Sequence, residues 1–147
     1  MKTSERMLGL IRLHEGFRPT AYRCPAGVWT IGYGHTAGVK AGDSCTREQA
    51  AKWLKEDLKP IEDFLNASGV ELTQQQFDAL ASFAFNVGIA TLGASTLWRK
   101  VKADPQDATI PQEFKKWVYA DGGILKGLVR RRAREAAIYE NGDYGND

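Results

Sequence analysis

The feature that most constrains the fold is one short strand-forming stretch, residues 20–35, in a chain whose other segments have helical periodicity. β-branched and aromatic residues, which favour strands, surround the turn-forming sequence Pro25-Ala26-Gly27. They are Tyr22, Val28, Trp29, Ile31 and Tyr33. A stretch of this length can form a small hairpin or short sheet. We therefore predict an α+β protein that is mostly helical, with a small sheet near the N-terminus.

Spacing of apolar residues predicts six helices around this hairpin, over residues 3–14, 46–65, 73–86, 95–102, 111–119 and 125–139. Two of them begin with capping boxes, formed by Thr46 with Gln49 and by Thr73 with Gln76. Pro60 is expected to kink the second helix, because proline has no backbone N–H to donate. The helix over 73–86 is apolar on nearly every side towards its end, so we predict that it lies at the centre of the core.

The length of 147 residues corresponds to about one domain. We predict that residues 1–147 form a single catalytic domain with two lobes. The small N-terminal β-hairpin lobe comprises about residues 15–58, and the larger helical lobe about residues 1–14 and 66–147. The long helix over 46–65 joins them, and a cleft between lobes is the default position for a binding site.

Net charge is only +2, but it is unevenly distributed. Residues 99–134 carry ten bases and four acids, which indicates either a surface that attracts an acidic partner or a solvated helix face. No segment reaches the roughly 18 apolar residues of a membrane span, and the N-terminus lacks a secretory signal pattern. We expect synthesis in the cytoplasm, no stable membrane insertion and no nucleic-acid partner. A nucleic-acid binder would depend on the basic run 129–134 alone, and its binding would be steeply salt-dependent.

Glu15 is the first candidate for chemistry, since it stands at the predicted end of the first helix, before Gly16. The neighbouring Phe17 is expected to desolvate the carboxyl group, which favours the protonated form that a general acid needs. A glutamate at a helix end is also commonly a plain surface charge. Cys24 and Thr30 follow nine and fifteen residues later, on the two arms of the predicted hairpin. A helix end and a hairpin that faces it can present three side chains to one cavity.

The spacing of Glu15, Cys24 and Thr30 resembles that of the phage-type lysozymes, the endolysin muramidases. That family has Glu, eight residues, Asp or Cys, five residues, and Thr. The resemblance covers about residues 5–140. It includes the neighbouring motif 32–36, the core helix 76–88, Ser95-Thr96-Leu97, and a C-terminal block with Trp117, Gly122-Gly123, Gly127-Leu128 and Arg131-Arg132-x-x-Glu135.

The resemblance implies a lysozyme-like fold and hydrolysis of β-1,4 bonds between N-acetylmuramic acid and N-acetylglucosamine in peptidoglycan, which lyses the host. Glu15 would protonate the leaving oxygen, while Cys24 and Thr30 would hold and activate water on the opposite sugar face. It further implies a monomer that acts on the cell wall in the periplasm after holin-dependent release. The candidate substrate-binding residues are Tyr33, His35, Asn86, Ser95, Arg131 and Arg132, and one of the two arginines is expected to pair with Glu15.

The thiol at position 24 leaves two mechanisms open. An ordinary cysteine has a pKa of about 8.5, so Cys24 is a weaker base than aspartate unless a cation such as Arg23 lowers its pKa. If Cys24 contributes little, Glu15 could act alone as in lytic transglycosylases, which form 1,6-anhydromuramic ends without water. A glycan-binding protein that cleaves nothing is a third possibility.

Cys45 raises a separate question, because it is either a half-buried thiol or the partner of Cys24 in a disulfide. Such a disulfide would make activity depend on a reductant. His14 and His35 do not have zinc-site spacing with the two cysteines, so we predict no metal and no cofactor. A Cys–His nucleophile is a minor alternative, and His35 is also expected to support the end of the hairpin through a hydrogen bond.

Overall fold

The computed structural model describes residues 1–145, and this part of the chain is mostly helical with two short antiparallel hairpins. The elements are, in order, α1 (Glu5–Glu15), β1 (Arg18–Arg23), β2 (Trp29–Gly32), α2 (Arg47–Ala67), α3 (Gln74–Val87), α4 (Ile89–Ala94), α5 (Thr96–Ala103), α6 (Ile110–Lys115), β3 (Tyr119–Ala120), β4 (Gly123–Ile124) and α7 (Lys126–Asn141). The predicted fold class, α+β and mostly helical with a small N-terminal hairpin, is confirmed.

Contacts along the chain separate two units, which are described one at a time below. One unit is Gly9–Pro60, and the other is Met1–Leu8 together with the chain from Ile61 onward. The assignment of a single catalytic domain, with lobes at about 15–58 and at about 1–14 and 66–147, stays a prediction. Among residues 1–145, no helix is both long enough and apolar enough to cross a membrane.

The first hairpin is built from the strand-forming stretch of the sequence. β1 and β2 pair antiparallel, with Arg23 opposite Trp29 and Tyr22 opposite Thr30. The pairing continues beyond Arg23, because the Cys24 amide donates to the Val28 carbonyl at 3.0 Å. The predicted turn at Pro25-Ala26-Gly27 is present, and the Gly27 amide closes it by donating to the Cys24 carbonyl at 2.8 Å.

A second turn holds the end of β2 against α2. Ile31 and His35 exchange two backbone hydrogen bonds of 2.9 Å, which closes the loop between them. Gly32 in this loop has a φ of +66°, and a Cβ atom at that position would lie 2.8 Å from the Cβ of Ala50. Only glycine therefore permits both the backbone conformation and this close approach.

The other unit is organised around α3, as its apolar pattern predicts. Every residue from Gln76 to Ala84 is buried, and the ring of Phe83 packs edge-on against Phe114 and Trp117 at 5.6 and 5.7 Å. Both predicted capping boxes are present. The Thr73 hydroxyl accepts from the Gln76 amide at 3.2 Å, and Thr46 forms the equivalent bond of 3.1 Å at the start of α2.

Several element boundaries differ from the sequence prediction. The helix predicted over 111–119 ends at Lys115, and Tyr119 lies in β3. The hairpin of β3 and β4 and the short helix α4 were not predicted, because two-residue strands and a six-residue helix are too short to show periodicity. Pro60 lies inside α2, which continues as a helix to Ala67.

Candidate active site

Cys24 and Thr30 project from the same face of the first hairpin. Thr30 lies opposite Tyr22 across the strands, and Cys24 follows Tyr22 by two residues. Side chains alternate between the two faces of a hairpin, so these three share one face, while Arg23 and Trp29 lie on the other. The register of β1 and β2 thus brings together the thiol and the hydroxyl that the sequence singled out.

Hydrogen bonding from the Val28 backbone lowers the pKa of the Cys24 thiol below its ordinary value. Burial opposes this by raising the pKa of Cys24, while the Ala26 backbone and the Thr30 hydroxyl lower it further by smaller amounts. Arg23 is not a cause: its guanidinium lies over the Trp29 ring, 5.2 Å from the centroid, on the opposite face of the hairpin. Hydrogen bonds, chiefly from the Val28 backbone, therefore lower the pKa of Cys24 without a neighbouring cation.

Thr30 is buried, and its hydroxyl donates to the Val28 carbonyl at 3.0 Å. The same hydroxyl also contributes to the lowered pKa of Cys24. Because a hydroxyl has a single proton, it can donate to the carbonyl or to the sulfur but not to both at once. This position allows Thr30 to donate to the sulfur when Cys24 is a thiolate and to the carbonyl when it is a thiol.

Glu15 is the last residue of α1 and is half-buried. The helix ends because the following residue, Gly16, takes a φ of +71° while its amide still donates to the Arg12 carbonyl at 2.9 Å. The chain then enters β1 at Arg18, so Glu15, Cys24 and Thr30 belong to one unit. Phe17 packs against the ring of Tyr33 at a centroid distance of 5.6 Å.

Tyr33 and His35 are both buried in the same unit. His35 stacks on the Trp53 ring at 4.6 Å, and its Nδ1 lies 2.8 Å from Oδ2 of Asp57. Together with its backbone bonds to Ile31, these contacts give His35 the expected supporting position at the hairpin end. Asp57 and Trp53 were not singled out from the sequence, because they lie on α2, 22 and 18 positions away from His35.

Arg131 and Arg132 are buried in the other unit around Glu135. Nη1 of Arg132 donates to Glu135 at 2.6 Å, its Nε donates to the Trp117 carbonyl at 2.9 Å, and its remaining nitrogen, Nη2, donates to Asn86 Oδ1. Arg132 and the Asn86 oxygen thus hold each other, and the role of both residues in binding substrate stays a prediction. Arg131 donates to Glu135 at 3.2 Å and to the carbonyl of Ser82 at 3.1 Å.

Ser95 is the N-cap of α5. Its hydroxyl accepts from the Trp98 amide at 3.0 Å and donates its single proton to the Leu92 carbonyl at 2.6 Å. Ser95 is buried and therefore caps α5 with both of these bonds. Its role in substrate binding stays a prediction.

Cys24 and Cys45 are free thiols at opposite ends of the hairpin. The Cys45 amide donates to the Pro19 carbonyl at 2.9 Å, near the start of β1, whereas Cys24 follows the end of that strand. Five extended residues span about 16 Å, and a disulfide needs Cα atoms within about 7 Å. The two thiols therefore do not pair in this conformation. Burial raises the pKa of the Cys45 thiol, with a smaller opposing contribution from the Gly32 backbone.

Within residues 1–145, no group of three or more histidine, cysteine or acidic side chains has the arrangement of a metal site. The groups that the sequence singled out for chemistry in the hairpin unit are the carboxyl group of Glu15, the thiol of Cys24 and the hydroxyl of Thr30. A helix that ends in glutamate and leads into a hairpin with this pair, within a mostly helical α+β protein, defines a lysozyme-like fold.

Comparison with known proteins supports this class. The structure superposes on the muramidase domain of SpmX from Asticaccaulis excentricus with a TM-score of 0.86 and 38% identity, covering 94% of this chain and 97% of that one. It superposes on the endolysin from Escherichia coli O157:H7 phage FAHEc1 with a TM-score of 0.87 and 33% identity, covering 99% and 98%.

The sequence is 41% identical over 146 residues to the endolysin of Acyrthosiphon pisum secondary endosymbiont phage 1, a match that covers 96% of this chain and 99% of that relative. The family model for phage lysozyme matches residues 12–135. The chain therefore belongs to the phage lysozyme family, as its motifs indicate.

Proposed function

We propose that this protein is a muramidase, which hydrolyses the β-1,4 bond between N-acetylmuramic acid and N-acetylglucosamine in bacterial peptidoglycan and so lyses the host. Glu15 acts as the general acid and protonates the leaving glycosidic oxygen. Cys24 and Thr30 position and activate a water molecule on the opposite face of the sugar. Attack from that face makes the reaction inverting.

The observation that supports this mechanism most directly is the lowered pKa of the Cys24 thiol beside Thr30. A thiol with a lowered pKa is a thiolate for a larger fraction of the time near neutral pH, so it can accept a proton from the attacking water. A thiolate also stabilises the positive charge that develops on the sugar. The similarity to a structure titled a muramidase domain is consistent with this chemistry.

Product analysis in water enriched in oxygen-18 tests the proposal. Hydrolysis by the wild-type protein is expected to release muropeptides with reducing ends, each labelled with one oxygen-18 atom and formed initially as the inverted anomer. Unlabelled 1,6-anhydromuramic ends would instead identify a lytic transglycosylase that uses Glu15 alone. A peptidoglycan suspension that stays equally turbid with the wild type and with Glu15→Gln would identify a glycan-binding protein.

The role of Thr30 in positioning water can be tested separately from that of Glu15. Thr30→Ser keeps the hydroxyl and should retain most of the activity, whereas Thr30→Val removes it and should lower the rate at least tenfold. Equal rates for Val and Ser would remove Thr30 from the mechanism. Folding of each variant is checked by thermal unfolding, since Thr30 is buried.

We further propose that the protein is a monomer that acts on the cell wall, with holin-dependent release from the cytoplasm. Size-exclusion chromatography with light scattering should give a mass near 16.3 kDa. Expression in a Gram-negative host should cause lysis only when a membrane-permeabilising protein is produced at the same time. Lysis without that protein would contradict holin dependence.

A further inference from the structure

The hairpin face that holds Cys24 and Thr30 also holds the guanidinium group of Arg18. The Cζ atom of Arg18 lies over the Tyr22 ring, 4.0 Å from its centroid. Tyr22 is the cross-strand neighbour of Thr30. The Tyr22 ring therefore places an exposed positive charge on the same face of the hairpin as the proposed catalytic pair.

The guanidinium of Arg18 has no acidic partner among the described ion pairs. Residues 16–42 contain three basic side chains and no acidic one. Among residues 1–145, Arg18 forms no ion pair. Its guanidinium lies over the Tyr22 ring, while its backbone pairs with Gly32 and its carbonyl accepts from the Cys45 thiol at 3.9 Å. A stacked guanidinium keeps the N–H groups at its edge available, and that edge fits a carboxylate through two parallel hydrogen bonds.

We propose that Arg18, held in place by Tyr22, determines specificity by binding a carboxylate carried on the muramic acid side of the substrate. This inference rests on the proposed function. N-acetylglucosamine is neutral, whereas the lactyl group of muramic acid ends in a carboxylate or in a peptide that contains acidic residues. Arg18 thereby favours acidic peptidoglycan over an uncharged glycan with the same β-1,4 linkage.

Arg23 provides a matched control on the same hairpin. Its guanidinium is also exposed and also stacks on an aromatic ring, that of Trp29, but on the opposite face from Cys24 and Thr30. The substitutions Arg18→Gln and Arg23→Gln remove the same charge and the same kind of stacking contact. The two substitutions differ only in the face of the hairpin that loses the charge and the stacking contact.

The experiment measures kcat and KM on soluble, uncrosslinked peptidoglycan strands, and on the same strands after their carboxylates have been converted to methylamides with carbodiimide and methylamine. On native strands, Arg18→Gln should raise KM about five- to tenfold with kcat unchanged, because a charge-assisted hydrogen bond is lost in binding. On amidated strands, Arg18→Gln and wild type should have the same KM. Arg23→Gln should match wild type on both.

An unchanged KM of Arg18→Gln on native strands would overturn the inference, as would an equal loss on native and amidated strands. An Arg23→Gln variant with the same substrate-dependent loss as Arg18→Gln would also overturn it, because the effect would then not depend on the face of the hairpin. Failure of the proposed function is a different result, since the wild-type protein would then cleave neither preparation. Thermal unfolding confirms that both variants are folded.

Discussion

Arg132 and Glu135 form a hydrogen bond of 2.6 Å between Nη1 and Oε1 in the interior of the helical unit, where both side chains are fully buried. Arg131 donates to the other oxygen of the same carboxylate at 3.2 Å. Glu135 therefore compensates two buried cations that lie three and four positions before it on α7. The Arg-Arg-x-x-Glu motif is explained by this arrangement.

Glu135→Gln is expected to lower the free energy of unfolding by about 3 kcal/mol, because it leaves two buried guanidinium groups without their counter-charge. Asp143→Asn is the control, since Asp143 pairs with Arg134 at 3.2 Å but is 61% exposed. That surface pair should contribute less than about 1 kcal/mol. Denaturant titration of both variants measures the difference, and similar losses would contradict the assigned role of Glu135.

Gly32→Ala should destabilise the protein more than Gly27→Ala. Both glycines have a positive φ, +66° and +79°, so both substitutions carry a backbone cost of about 1–2 kcal/mol. Only at Gly32 would the new Cβ also meet Ala50, at 2.8 Å, whereas nothing lies within 4 Å at Gly27. Overpacking should add about 1–3 kcal/mol for Gly32→Ala, which can be measured by thermal unfolding. Equal losses at the two positions would show that the approach to Ala50 costs nothing.

The two cysteines should react with iodoacetamide at different pH values. Hydrogen bonding from the Val28 backbone lowers the pKa of Cys24, and burial raises the pKa of Cys45. Alkylation requires the thiolate, so the rate for Cys24 should rise at a lower pH than the rate for Cys45. Mass spectrometry of the peptides that contain each cysteine measures both rates. Faster labelling of Cys45 near neutral pH would contradict this order.

Substitutions at position 24 test whether Cys24 acts as a base in the cleavage reaction. Cys24→Asp is expected to retain or raise the rate of peptidoglycan cleavage, because a carboxylate is ionised at neutral pH. Cys24→Ala should lower the rate at least tenfold, as removal of a positioned base does. Cys45→Ser is the control and should leave the rate unchanged. Full activity in Cys24→Ala would exclude the thiol from the mechanism.

Oxidation is not expected to change the rate of peptidoglycan cleavage by forming a disulfide between Cys24 and Cys45. Cys24 and Cys45 are free thiols, and Cys45 bonds to Pro19, five residues before Cys24, so they cannot pair without rearrangement of the strands. The rate of cleavage is expected to be the same with and without dithiothreitol when the protein is handled without oxidants. A mass spectrum that shows an intramolecular disulfide, together with activity that dithiothreitol restores, would refute this prediction.

Local sequence patterns were sufficient to predict those helices and strands whose defining residues lie within a few positions of each other. Thr46 and Gln49 were recognised as a cap because both partners lie in the first turn of the same helix. The hairpin of β3 and β4 was missed because each strand has only two residues, although its turn, Asp121-Gly122 with φ values of +51° and +81°, is a pair typical of two-residue hairpin loops.

Part of the candidate site could also be predicted from the sequence, because its residues lie close together along the chain. The spacing of Glu15, Cys24 and Thr30 carries the family pattern. The register of the hairpin, together with the alternation of side chains, then places Cys24 and Thr30 on one face. The roles of Ser95 and Arg132 did not follow from spacing. Ser95 caps a helix through its own neighbours, and Arg132 turns to a carbonyl fifteen residues earlier in the chain.

The sequence by itself determined the fold class, the helix starts, the hairpin and the order of the residues proposed for catalysis, because these depend on side-chain periodicity and on partners a few positions apart. Only the tertiary structure decided which groups lower the pKa of Cys24, which face holds Arg18, and why Arg132 is buried. These outcomes depend on how backbone donors, rings and charges meet in space: within the closed hairpin for Cys24 and Arg18, and between distant parts of the chain for Arg132, where burial strengthens the contacts. Neither composition nor spacing records that placement.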